Sequence, residues 1–515
     1  MTPDRMDARG PAGAPVMVVG AGPVGLAAAL MLARHGTPVR VIDANDGPTD
    51  LSKALVMWRR TLQVLDPVMP FEDLAHEHTD VRGASVRMAG GRRAEVPLRT
   101  PGAGIPAGVV VPQSHTERLL SGALGDRGVA VERRTRLSGF VRRADGVDCL
   151  LVSARGTERV RASWLIACDG AASGVRHGLG LTFPGARAGR RWMVADVDVE
   201  GGEDAGHALL VTQGAAGAVV LVPMGAGRWR VMADREGERT GGAPDPSPDD
   251  VQAVLDERTD LGLRVAGLRW GCELRADERQ MRRYVHGRVV LAGDAAHAHG
   301  PVGAQGLNAG IQDAANLAWK IALVERGAAP ESLVATYQAE RHPIGAMVRR
   351  TSGLVLHAAV SGVLEEGAIT YSEGPLSNRR GAGGAVRSGD AFPDVTVAMD
   401  GVPVSSQRLL RDAEATLVLL GDAGLGGAPA RIGAGEGGIP VTVRRVGPGL
   451  DAEDTDGRLE RALGLRRGAV LVRPDGVIAT VGRRSTDAAD WARDRLGATR
   501  AAATGRGRPV AAGRG

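Results

Sequence analysis

Apolar and polar positions along this chain follow two rhythms, and their order outlines a fold. The apolar run Val16 to Val19 ends in glycine, the stretch Leu26 to Arg34 follows at helical spacing, and a second apolar run, Val39 to Ile42, comes next. This reads as buried strand, tight turn, helix and buried strand, the opening of a parallel α/β sheet. Between Arg190 and Leu274 the rhythm shortens to β-like runs: Trp192 to Val199, Ala208 to Thr212, Ala218 to Val222, Trp229 to Ala233 and Leu268 to Leu274. Alternation within them predicts a sheet with one face towards a cavity and the other towards water or helix. Helical spacing returns from Gln305 to Ala322, after a short apolar strand at Arg288 to Ala292. Residues 375–390, PLSNRRGAGGAVRSGD, are rich in Gly, Arg and Ser and read as a linker. Strand patterns at Ala415 to Leu420, Val441 to Val446 and Ala469 to Val472, with helical patterns around Leu459 and from Asp487 to Leu496, then outline a small α/β domain.

The first turn carries chemistry. Gly20-Ala-Gly22-Pro23-Val-Gly25 sits between strand and helix, where two glycines let the backbone approach a pyrophosphate and the third lets helix and strand pack closely. Asp43, at the end of the second strand, is placed to take both hydroxyls of an adenosine ribose. These features point to a dinucleotide and leave NAD and FAD open.

The segment Gly287 to Lys320, GRVVLAGDAAHAHGPVGAQGLNAGIQDAANLAWK, decides between them. Asp294 at a strand end suits the ribityl hydroxyls of a flavin, and free backbone N–H groups around Gly303 to Asn308 suit its N1 and C2 carbonyl. A helix N-terminus aimed there stabilises the anionic reduced ring. NAD has neither ribityl chain nor anionic ring.

With these residues the chain resembles the single-component FAD-dependent aromatic hydroxylases, the group A flavoprotein monooxygenases that include para-hydroxybenzoate hydroxylase and phenol hydroxylase. The likeness rests on the N-terminal GAGPVG, on Ala167-Cys-Asp169-Gly170-Ala-Ala-Ser173-Gly-Val-Arg176, and on Gly293-Asp294 with its PxGxQGxN continuation. Ser52-Lys53-Ala54 leading to Arg60-Thr61-Leu62, Pro112-Gln113 with Glu117-Arg118, and Tyr337 with Glu340-Arg341-His342-Pro343 add to it. The resemblance implies that Asp43, Lys53, Arg60, Gln113 and Asp294 contact FAD, and that Asp169 lies near its pyrophosphate and serves NAD(P)H binding as well. It places Pro301 against the reactive side of the flavin and Gly303, Gly306, Leu307 and Asn308 at the pyrimidine side. Lys53 stands where arginine is usual, Ala172 replaces a common arginine, and Ala304 replaces the second glycine of GGQG, a change that adds only a methyl. Loss of the arginine at Ala172 alters how the reducing nucleotide is held.

The expected architecture is α/β: a Rossmann-like FAD-binding domain with an inserted, mostly antiparallel sheet for the substrate, and a C-terminal thioredoxin-like domain. The FAD unit is expected at 15–80, 107–185 and 280–374, the sheet at 81–106 and 186–279, the linker at 375–390 and the thioredoxin-like unit at 391–500. Residues 1–14 and the Gly, Ala and Arg-rich tail 501–515 read as disordered. The C-terminal unit contains no CxxC, so its reading is structural or oligomerising rather than redox, with a homodimer as the expected assembly.

Composition narrows the setting. A net charge of +5 is spread over interspersed acids and bases, which argues against a nucleic-acid surface. No run has spanning length outside the glycine-broken Val16 to Ala33, and the first fifteen residues have no apolar core, so the expected location is cytoplasmic, without a membrane partner. Cys149, Cys168 and Cys272 are scattered and suit a reducing compartment. His297 and His299 have no acid or cysteine at matching spacing, so no metal site is expected; His299 is a candidate to reach the substrate cavity.

The implied reaction is hydroxylation of a phenolic or polycyclic, polyketide-like aromatic small molecule, with NADPH or NADH as transient reductant and O2 as oxidant. It passes through a flavin C4a-hydroperoxide in a dry pocket. Epoxidation or Baeyer–Villiger insertion by the same cofactor is the nearest alternative, and a non-catalytic flavin-binding interaction protein is the alternative from another class. A halogenase is disfavoured because there is no WxWxIP segment.

Overall fold

The computed structural model describes residues 13–49, 55–74, 78–88, 92–98, 104–201, 208–235, 245–300, 302–351, 369–378, 385–412, 414–421, 423 and 428–497. Lys53, Pro301 and both chain ends lie outside the described residues.

A six-stranded sheet forms the first layer, in the order Val285–His286, Val289–Leu291, Leu165–Ala167, Val16–Val19, Val39–Ile42, Val131–Glu132. All neighbours run parallel except the first pair. Its central strands Val16–Val19 and Leu165–Ala167 are continuous apolar runs, buried against helices Pro23–Arg34 and Gln305–Glu325 and against Val147, Cys149 and Leu151 of a three-stranded antiparallel sheet. Helix Pro23–Arg34 packs on helix Gln305–Glu325, and their backbones approach closely at Gly310. A Cβ there would lie 2.4 Å from Val24, so only glycine permits the contact.

The second layer is an eight-stranded sheet in the order His297–Ala298, Arg264–Gln280, Gly185–Glu200, Arg228–Arg235, Gly217–Gly225, Ala208–Gly214, Gly83–Met88, Arg92–Pro97. Only the pair Ala208–Gly214 with Gly83–Met88 is parallel. Alternation sorts its side chains. Met193, Ala195 and Val197 face helix Pro248–Arg258, whereas Trp192, Val194, Val220, Val222, Trp270 and Leu274 share a cluster with Trp58 and Ala304 of the first unit. One face therefore looks onto helix and the other onto the segment before Gln305.

The third unit is a five-stranded sheet, Arg431–Ile432, Ile439–Val446, Ala415–Leu420, Gly468–Val472, Ile478–Gly482. Its central strand pairs in parallel with Ile439–Val446 and antiparallel with Gly468–Val472, which pairs antiparallel with Ile478–Gly482. This is the strand arrangement of a thioredoxin-like sheet.

The described parts of 375–390, expected as a linker, are packed on the third unit. Leu376 is buried, Asn378 N–H donates to Ser388 Oγ at 2.8 Å, and Gly389 N–H donates to the Ile478 carbonyl at 2.8 Å. Gly389 and Ser388 thus bond to the strand Ile478–Gly482 of the third unit.

Candidate active site

At the carboxyl ends of Val16–Val19, Val39–Ile42 and Leu165–Ala167 a cleft of about 700 Å³ opens, lined by Gly20, Gly22, Asp43, Gln113, Glu117, Arg133 and Asp169 among others. Open parallel sheets bind ligands at this edge. Gly20 takes φ +101°, and a Cβ on it would sit 2.4 Å from the Cys168 carbonyl oxygen, so the turn and the middle motif meet in direct backbone contact. A Cβ on Gly22 would meet nothing within 4 Å, and Gly25 is pressed against the carbonyl of Gly20. Pro23 occupies the first turn of the helix, where its missing N–H costs nothing.

Asp43 is buried at the rim, and its carboxylate accepts from the N–H of Ala21 at 2.6 Å and of Asn45 at 2.8 Å. Gln113 Nε2 donates to Glu117 Oε1 at 2.9 Å, and Glu117 Oε2 accepts from the Thr49 N–H at 3.0 Å. Asp169 Oδ2 accepts from the Val175 N–H at 3.0 Å, while its Oδ1 is buried without a protein partner. A buried carboxylate oxygen left unpaired costs about 1–3 kcal/mol unless a ligand or water completes it.

Asp294 lies beyond this cleft. It is exposed on the short helix Gly293–Ala295, with Oδ1 3.7 Å from where a Gly306 Cβ would be. Gly306 and Leu307 belong to the first turn of helix Gln305–Glu325, whose N–H groups have no partners within the helix. Before it, Gly303 takes φ +83° and accepts from Trp58 Nε1 at 3.0 Å, and Ala304 takes φ +52°. The Ala304 change thus adds more than a methyl: it places an L side chain in a left-handed conformation that glycine adopts freely.

Two placements differ from the motif reading. Arg60 is buried but lies away from the cleft, donating to the Asp475 carbonyl of the third unit at 2.6 Å. Asn308 is fully buried, and its side chain is engaged by protein: Nδ2 donates to Val56 O at 2.9 Å, and Oδ1 accepts from Trp58 N–H at 2.9 Å. It holds the strand Val56–Trp58 against the helix and leaves only backbone for a ligand. Ala172 is exposed, and the neighbouring Arg176 is spent on the Ala171 and Ala295 carbonyls and on stacking over Phe183.

Sequence reasoning missed two buried ionic networks behind the site. Asp313 accepts from Arg341 Nε at 2.7 Å, from Gly293 N–H at 3.1 Å and from His297 Nε2 at 2.6 Å. Burial pushes its carboxyl up, but the Arg341 charge and the hydrogen bonds from His297 and Arg341 outweigh that and hold it at about 2. Glu340 is bound by Arg473 and Lys320, each at 2.7 Å, and Arg473 also reaches Asp475. Burial again opposes, yet Arg473 and Lys320 hold Glu340 at about 2, while burial draws Lys320 down to about 8. The available signal was polar residues inside an apolar helix: Asp313, Asn316 and Lys320 recur at helical spacing on its buried face.

The cleft, the aspartate facing the helix N-terminus and the orphaned Asp169 oxygen fit an extended dinucleotide with a second, anionic ring system. Comparison with known proteins agrees. A family model described as FAD binding domain matches residues 13–352, and one described as aromatic-ring hydroxylase, C-terminal, matches residues 386–507. The chain belongs to the FAD-dependent aromatic hydroxylases. The hydroxylase is 32% identical to 6-methylpretetramide 4-monooxygenase of Streptomyces rimosus, over 92% of this chain and 91% of that one. It is 31% identical to dialkyldecalin synthase of Streptomyces rugosporus, over 90% of this chain and 95% of that one.

 Among solved structures, the anhydrotetracycline hydroxylase OxyS from Streptomyces rimosus superposes with a TM-score of 0.71 at 27% identity, over 94% of this chain and 99% of that one. The hydroxylase is accordingly a monooxygenase that uses FAD, NAD(P)H and O2. No described helix is long and apolar enough to cross a membrane.

Proposed function

We propose that this hydroxylase acts on a polycyclic phenol of the aromatic-polyketide type and adds one hydroxyl group to it. The observation that carries the reading is the apolar cluster in which Trp192, Val194, Val222 and Trp270 of the eight-stranded sheet join Trp58 and Ala304 beside the helix N-terminus. A broad, mostly aliphatic roof meeting that segment suits fused rings, and the relative from Streptomyces rimosus is named for oxygenation of 6-methylpretetramide.

In this reading Asp43 binds the adenosine ribose, Gly20 and Gly22 the pyrophosphate with Asp169 beside it, and Asp294 the ribityl chain. Backbone N–H groups of Gln305 to Leu307 face the pyrimidine. When bound, FAD would supply the redox chemistry, with NAD(P)H as reductant and O2 as oxidant, one oxygen atom going to the ring and the other to water. The protein's own contributions are orientation and dryness: the sheet face excludes water and holds the ring, and the helix N-terminus stabilises negative charge.

The test is product mass after incubation with NADPH, isotopically labelled O2 and a panel of polycyclic phenols. Gain of one labelled oxygen with ring connectivity intact supports hydroxylation. An oxygen inserted into the ring framework favours Baeyer–Villiger chemistry. A ring-forming product without labelled oxygen would instead align the chain with the dialkyldecalin synthase it resembles.

A further inference from the structure

His299 is the outer end of a directional hydrogen-bond chain that begins at a fixed charge. Arg341 donates to Asp313 Oδ1, which keeps the carboxylate ionised, so Asp313 Oδ2 accepts and His297 Nε2 carries the hydrogen across the 2.6 Å contact. With His297 neutral, its Nδ1 is a lone pair, and it accepts from His299 Nε2 at 2.9 Å. The two ring planes are inclined by 26° with centroids 5.0 Å apart. His299 Nδ1 is then left as an acceptor, and it is buried with no protein partner. An imidazole acceptor shielded from water and unsatisfied by protein costs stability unless an entering group completes it.

Its place in the fold favours the substrate. The strand His297–Ala298 pairs with the end of Arg264–Gln280, so His299 stands where the eight-stranded sheet meets the segment leading to Gln305. Resting on the phenolic reading above, we propose that Nδ1 of His299 accepts the hydroxyl proton of the substrate and that His297 and Asp313 complete a proton relay. The substrate O–H breaks and its proton joins His299 Nδ1; the proton on His299 Nε2 passes to His297 Nδ1. His299 ends neutral as the other tautomer, the substrate as phenolate, and the positive charge rests on His297 beside the Asp313 carboxylate. A phenolate ring is more electron-rich and accepts oxygen more readily.

The surrounding charges support this division of labour. Burial, with Arg349 of helix Ser332–Thr351, holds His299 down at about 3 although Asp313 acts the other way. His297 is contacted by Tyr284 and Asp313, and His342 packs against Tyr284. Among these groups only Asp313 is an anion in contact with His297, so the relayed charge is stabilised there.

The test uses the FAD-loaded protein and alizarin, a dihydroxyanthraquinone whose colour reports ionisation of its phenol, titrated against pH with wild type, His299→Leu and His297→Gln. Gln at 297 keeps a donor for Asp313 and an acceptor for His299 but cannot carry the charge. The expected result is a bound phenol at least about tenfold more acidic in wild type than in either variant, roughly one pKa unit, with FAD retained. Equal acidity in all three overturns the relay. Failure of alizarin to perturb the flavin spectrum of wild type overturns the polycyclic-phenol reading, and the relay with it.

Discussion

The main-chain N–H of Trp58 donates to Oδ1 of Asn308 at 2.9 Å, across 250 residues of sequence. With Asn308 Nδ2 on the Val56 carbonyl, one side chain closes both hydrogen-bonding positions that flank Met57. The helix N-terminus is thereby fixed against a strand whose Trp58 also reaches Gly303. Asn308→Ala strands a buried N–H and a buried carbonyl, at about 1–3 kcal/mol each. We expect a lower melting temperature and weaker FAD retention together, measured by thermal unfolding and flavin absorbance; an unchanged melt would refute the pairing.

Ala304 offers the opposite change. Its φ of +52° is a conformation that glycine adopts without penalty. Ala304→Gly is expected to stabilise the FAD-loaded protein by up to about 1 kcal/mol, less whatever Ala304 contributes to the apolar cluster. Denaturant unfolding reads the sign, and clear destabilisation would show that packing outweighs the backbone.

Asp294 and Arg60 should separate in a single assay. Asp294→Ala is expected to lose most of the bound FAD, because the carboxylate faces the helix N-terminus at Gly306. Arg60→Met is expected to keep its FAD and lose stability instead, since its guanidinium is buried against the Asp475 carbonyl. Flavin stoichiometry after gel filtration decides; loss of FAD from Arg60→Met with its stability unchanged would place that side chain at the cofactor after all.

Much of this arrangement was legible in the chain. Glycine spacing and Asp43 marked the cleft because turn and strand end are local features, and alternation over Trp192 to Val199 marked a sheet strand. The placement of Arg60 was not legible, since its partner Asp475 is 415 residues away and no local pattern encodes such a contact. The same holds for Glu340 with Arg473, 133 residues apart. The burial of Leu376 and Ser388 was not legible for a related reason: glycine and serine report an irregular backbone, while burial is set by what packs on it.

Acid should reveal the two networks. Asp313 and Glu340 are both held at about 2, below the ordinary carboxylate range. Depressed carboxylates contribute stability that is complete above their unfolded values and is lost as pH falls towards their folded ones. Unfolding free energy should therefore decline from about pH 5 downwards, with a shallower slope in Glu340→Gln, which has one such group fewer. Denaturation measured at several pH values checks this, and equal slopes would remove Glu340 from the account.

The most direct measurement is the anaerobic rate at which NADPH and NADH bleach the bound flavin, alone and with polycyclic phenols. A self-contained aromatic hydroxylase predicts marked acceleration by at least one such compound, followed by reoxidation when O2 is admitted. Flavin that stays oxidised with every nucleotide and phenol would contradict the account and point to an external reductase or a flavin held without turnover.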